Sequence, residues 1–179
     1  MQDWNVVVSV HDGHYRRACA VLGALGEVAQ TDYYNVLVIH VDDREEFLRR
    51  LAALVAGAPD FLEVVSRIMP AAEAFTFQSA GEFEARAKEI VRAWLPRLAG
   101  RSFHVRMHRR GFKEQMSSHA EERFLDEALL HALEQAGTPG RIDFTDPDLI
   151  IDVETVGQRA GLSLWTRDDL LRYPFLKVD

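Results

Sequence analysis

Apolar positions along the chain alternate between two periods, and the switches between them outline the elements. The β-branched run Trp4 to Val10 predicts a first strand, closed by the turn pair Asp12-Gly13. Tyr15, Ala18, Cys19, Leu22 and Leu25 then recur at helical spacing until Gly23 and Gly26 end the pattern, which makes Cys19 a core filler. Strands are expected over Val28 to Tyr33 and Asn35 to Val41. A helix follows from Asp42, with Glu45 completing a capping box and Phe47, Leu51, Leu54 and Val55 as its buried stripe. Gly57 and Pro59 stop it, and Phe61 to Met69 reads as a fourth strand that Pro70 closes.

Strand, helix, strand, strand, helix, strand is the order of a ferredoxin-like βαββαβ domain, here placed at residues 1–75. The rest, 76–179, forms a second domain. It opens with Ser79 and Glu82 as a capping box ahead of a long helix bearing Phe83, Ala87, Ile90, Val91, Trp94 and Leu98, which Pro96 should kink or shorten. Phe103, Val105 and Met107 alternate with His104, Arg106 and His108, the signature of a strand with one buried face that runs to Arg110. Ser118 and Glu121 suggest a third capping box, for a helix that Gly137 ends. Strands over Ile142 to Phe144, Leu149 to Val156 and Gly161 to Thr166 complete a mixed sheet, so the fold class is α/β in the broad sense, of the α+β kind.

Charge adds a local feature to this outline. The chain has 179 residues and a formal charge of -7, which argues against binding nucleic acid by bulk positive charge. Residues 101–119 nevertheless carry Arg101, Arg106, Arg109, Arg110 and Lys113 against Glu114 alone. This basic island directly precedes a helix start, where unpaired amides and the positive end of the dipole favour an anion. The single cysteine excludes an internal disulfide, no tract is long and apolar enough to span a membrane, and no cationic stretch precedes an apolar run at the start. A cytoplasmic chain is expected.

Catalytic motifs are scarce. The sequence holds no GxxxxGK[ST] loop, GxSxG elbow, CxxC or HExxH. His104 and His108 lie about 13 Å apart at strand rise and cannot share an ion, and no metal site or cofactor is expected. Asp152 and Glu154 share a strand face about 7 Å apart, as paired carboxylates or, more simply, an outward polar face. Arg16 and Arg17 after Gly13 allow an acylphosphatase-like phosphoryl hydrolase as one alternative reading. A protein or small-ligand binding module on a ferredoxin-like fold is another.

From Phe103 onward the chain resembles a THUMP domain, the RNA-binding module of thiouridine synthases, tRNA methyltransferases and the adaptor of tRNA cytidine acetylation. Phe103-His104-Val105-Arg106 with Arg109 matches that family's F-x-V-R-x-x-R opening. Ser117-Ser118 before an amphipathic helix, Ile142 to Asp148 before Val153-Glu154, and Leu162 to Trp165 continue the match. A ferredoxin-like domain ahead of the module is common in the family. The resemblance implies a tRNA-binding protein that holds the acceptor stem and 3' end, with Arg106, Arg109, Arg110 and Lys113 on phosphates, Ser117 and Ser118 presenting the helix amides, and Arg167 as a further contact. No catalytic residue is assigned. As the chain ends at Asp179 without room for a catalytic domain, it is expected to serve as an adaptor for a separate tRNA-modifying enzyme such as an acetyltransferase. Neither DNA nor a membrane is expected as a partner.

Overall fold

The computed structural model describes residues 1–178 and divides into two compact units. One comprises Met1–Ala72 with Leu170–Lys177, and the other is built on Glu73–Asp169 with Val178. The expected second domain, 76–179, ends on a residue outside those described.

The first unit contains β1 (Val6–Val10), α1 (Tyr15–Leu22), β2 (Glu27–Gln30), β3 (Val36–His40), α2 (Arg44–Gly57) and β4 (Val65–Pro70). Its sheet runs β2-β3-β1-β4 with every neighbour antiparallel. That is the ferredoxin-like order: hydrophobic β-branched strands sit at the centre, and α1 and α2 supply Leu22, Phe47 and Leu51 to the core. Two expectations shift. Asp43, not Asp42, caps α2 by accepting from the Glu46 amide. Phe61 belongs to a short 3-10 helix, Pro59–Glu63, because Pro59 presets a helical turn, so β4 starts only at Val65. Within this unit the Ile68 amide donates to the Phe175 carbonyl, tying the C-terminal segment alongside β4.

The second unit contains β5 (Glu73–Thr76), α3 (Ala80–Arg92), α4 (Leu95–Leu98), β6 (Ser102–Arg110), α5 (Ser118–Gln135), β7 (Arg141–Ile142), β8 (Leu149–Val156) and β9 (Arg159–Thr166), and α6 (Arg167–Arg172) begins at its end. Strand order is β5-β9-β8-β6-β7, with β6 parallel to both neighbours and β8-β9 and β9-β5 antiparallel, so the sheet is mixed. Ser79 caps α3 by accepting from the Glu82 amide, while the Glu82 carboxylate accepts from Gln78. Pro96 cannot donate within the helix, and the helical run breaks between α3 and α4 as its ring geometry demands. β5 was not apparent in the sequence, being short and only half-patterned.

The core lies between one sheet face and the helices α3 and α5. Phe103, Val105, Met107, Leu149, Ile151 and Val153 meet Phe83, Ala87 and Val91 of α3 and Leu125, Leu129 and Leu133 of α5. Phe75, Phe77 and Phe83 pack ring to ring, 5.4 to 6.3 Å apart. Phe83→Ala should therefore lower unfolding free energy by about 3–5 kcal/mol, the usual cost of emptying such a site, and Ser79→Ala by about 1 kcal/mol through loss of the cap. Urea denaturation checks both; a Phe83→Ala cost below that of Ser79→Ala would contradict this packing.

Candidate nucleic-acid interface

Parallel pairing with β8, from Phe103 opposite Leu149 to Arg110 opposite Val156, fixes which way each residue of the basic strand faces. Phe103, Val105 and Met107 enter the core; His104, Arg106, His108 and Arg110 take the other face. Arg106 is exposed there. Expected polar neighbours on this face are instead buried: His104 is 7% exposed, Asp152 0% and Glu154 2%. The alternation shows which residues share a side, and carries no information on whether that side is covered.

Burial changes the roles of two candidate cations. Arg110, expected on a phosphate, donates to the Glu154 carboxylate and is an internal ion-pair partner. Arg167 donates to the carbonyls of Asp146 and Pro147 and pairs with the carboxylates of Asp146 and Asp148 at 3.1 and 3.6 Å, which spends it on a turn. Arg109 points to the Gly111 carbonyl from the core-side parity of the strand. His108, Asp152 and Glu154 bring three potential ligand atoms within 4.8 Å of one another, the one such group found among the described residues. Arg110 already sits on one of its carboxylates, so an ion-paired cluster accounts for it.

The loop after β6 is anchored from inside. Gly111 and Phe112 adopt positive φ values of 89° and 59°, Phe112 packs edge-on to Phe77 at 5.5 Å, and Met116 is buried. Lys113, Glu114 and Gln115 between these anchors are exposed. Ser117, one residue before the expected cap, accepts from the Ala120 amide at 3.4 Å, and Ser118 is the first helical residue. The exposed cations nearest in sequence to this helix start are thus Arg106, Lys113 and Arg123, with His119 open in the first turn. Arg123 escaped sequence reasoning because it lies inside a helix whose apolar stripe dominated the pattern.

Past Phe103, β6 has no strand on its β7 side, and α5 substitutes for one. The Val105 amide donates to Asp126 at 2.9 Å and the Met107 amide to Glu122 at 2.8 Å. Burial pushes the Asp126 carboxyl up to about 7, against the opposing effect of the Val105 hydrogen bond. Burial also pushes Glu121 up to about 7, reinforced by Glu84 facing it from α3.

In the first unit, Arg17 donates to Asp60 at 2.6 Å, so one of the two arginines of the phosphoryl-hydrolase reading is occupied, and Cys19 is half-buried. Among the described residues no helix is long and apolar enough to cross a membrane.

No family model matches the sequence, and no curated protein is similar to it. Solved structures are similar in fold. TrmN from Thermus thermophilus gives a TM-score of 0.60 at 23% identity, over 89% of this chain and 44% of that one. PH1313 from Pyrococcus horikoshii Ot3 gives 0.57 at 13%, over 90% and 54%. A 4-thiouridine synthetase solved as an RNA complex with bound ATP gives 0.51 at 11%, over 90% and 41%. This chain therefore spans about half or less of each of those proteins. The likeness is one of fold.

Glu121 and Asp126 both hold their proton more tightly in the folded chain than in the unfolded one. Stability should be fullest below the ordinary carboxylate range and decline as pH rises through it to about 7. Glu121→Gln should raise the melting temperature at pH 8 by roughly 2–4 °C, the shift about 1 kcal/mol gives a chain of this size, and change little at pH 4. A lower melting temperature at pH 8 would show that the ionised carboxylate stabilises the fold.

Proposed function

We propose that this chain binds structured RNA, tRNA first among candidates, through phosphate contacts around the β6 end and the start of α5. The observation that carries this reading is the display of exposed Arg106 and Lys113 on the strand and loop that lead into the amide-rich helix start, in a chain whose net charge is otherwise negative. Arg109 serves as a positioning residue, since its bond to the Gly111 carbonyl holds the loop that presents Lys113. Ser117 and Ser118 place the first free amides of α5 beside them.

A THUMP-like fold supports RNA as the ligand, as does the 4-thiouridine synthetase of similar fold that was solved with RNA bound. RNA helices are recognised mainly through shape, phosphates and 2'-hydroxyls, so a few well-placed cations suffice where a uniformly basic surface is lacking. We assign the chain an adaptor role: it holds the RNA while a separate modifying enzyme, an acetyltransferase for example, performs the chemistry in the cytoplasm.

Gel shift with bulk tRNA tests the reading. Substituting Arg106, Arg109 and Lys113 together by alanine should weaken binding at least tenfold at low salt. It should also flatten the dependence of log K on log salt by about one for each phosphate contact removed. Unchanged affinity and slope would contradict the site. A change of slope without tRNA preference over duplex DNA would contradict the ligand.

A further inference from the structure

Between α5 and the free edge of β6 lies a cleft of about 610 Å³, within the range of small-ligand sites. Phe144 forms one side of it and is 74% exposed, one of very few large apolar side chains so placed. Its backbone is nonetheless well fixed. The Asp143 amide donates to the Phe103 carbonyl, the Asp143 carboxylate accepts from Thr145 and Asp146 at 2.9 and 3.0 Å, and Arg167 holds the carbonyls that follow. The ring lies 5.5 Å from that of His104, tilted by 50°. A rigidly supported aromatic ring left open to solvent is a ready stacking surface.

Two further features narrow the occupant. Glu122 and Asp126 already take the β6 amides that an added strand would use, so an extended peptide cannot pair along this edge. Arg106 and Arg123 also line the cleft, beside Glu122, Asp126 and Glu127, and Arg123 pairs with Glu127 at 2.7 Å in an exposed helix pair, an interaction weak enough for a phosphate to compete with. An aromatic platform flanked by guanidinium groups suits a nucleotide whose planar base stacks on the ring while the phosphates on either side of its ribose meet the cations.

We propose that this cleft takes one unstacked nucleobase of the bound RNA, its ring laid on Phe144 and its flanking phosphates met by Arg106 and Arg123. This rests on the RNA-binding reading and deepens it: paired RNA is held by its backbone, and an extrahelical base adds affinity through stacking, which is tolerant of base identity. Leu130 and Ile142, half-buried in the cleft, give the inserted ring an apolar floor.

The test compares a blunt RNA hairpin with the same hairpin carrying one bulged 2-aminopurine, on the full chain and on Phe144→Ala and Phe144→Tyr. Wild type should bind the bulged RNA roughly tenfold tighter than the blunt one and change the 2-aminopurine fluorescence, as base stacking on one ring implies. Phe144→Ala should abolish both the preference and the fluorescence change while leaving blunt-hairpin affinity unaltered, and Phe144→Tyr should restore both. Equal affinity for the two RNAs, or a preference that survives Phe144→Ala, overturns the nucleobase site and leaves backbone binding standing. Failure to bind either RNA overturns the RNA-binding reading itself, and this site with it.

Discussion

The parallel pairing of β6 with β8 is the constraint from which the rest of the second unit follows. Parallel neighbours need a crossover, and α5 supplies it, so the helix start is brought close to the end of the strand that carries the basic residues. The same pairing commits one edge of β6 to β8 and leaves the other short of a partner, since β7 pairs only at Ser102 and Phe103. Asp126 and Glu122, four residues apart on α5, meet the exposed amides from the side. Edge protection, the cleft and the position of the helix start are thus consequences of one strand register.

That geometry reconciles a negative protein with the anionic ligand proposed for it. Glu122 and Asp126, which line the cleft, accept from β6 amides, and burial holds the proton on Asp126 up to about 7, so less negative charge faces a phosphate than composition implies. Two arginines that composition counts towards the basic island or its surroundings, Arg110 and Arg167, are spent internally. What remains is a small set of cations whose effect depends on placement, and their short range in salt makes the interaction sensitive to ionic strength.

Most of the secondary structure was legible because its signals are local. Val6 to Val10, Ser79 with Glu82, Pro96, and the stripe from Leu125 to Leu133 each carry their own geometric demand, and the elements fall where those demands put them. The caps of α2 and α5 moved by one residue, to Asp43 and Ser117, because adjacent Asp42-Asp43 and Ser117-Ser118 offer two candidate oxygens and only the helix register chooses between them. The candidate site was less legible for a tertiary reason. Arg106 and Arg110 have the same parity and similar neighbours in sequence, yet Arg110, opposite Val156, reaches diagonally to the buried Glu154 carboxylate, whereas Arg106 remains exposed. Phe144 was expected to end a strand from Ile142, whereas β7 stops at Ile142 and Phe144 lies in the bend that follows, where its exposure depends on tertiary neighbours rather than on local pattern.

Amide hydrogen exchange of the full chain with and without tRNA tests the central claim most directly, because it reports the bound surface without a substitution. Slower exchange should be confined to peptides covering the loop from Gly111 to Ser118, the first turns of α5, and the segment around Phe144. Protection restricted to Met1–Ala72, or none in the presence of saturating tRNA, would contradict the assignment of the β6 and α5 surface as the place where RNA is held.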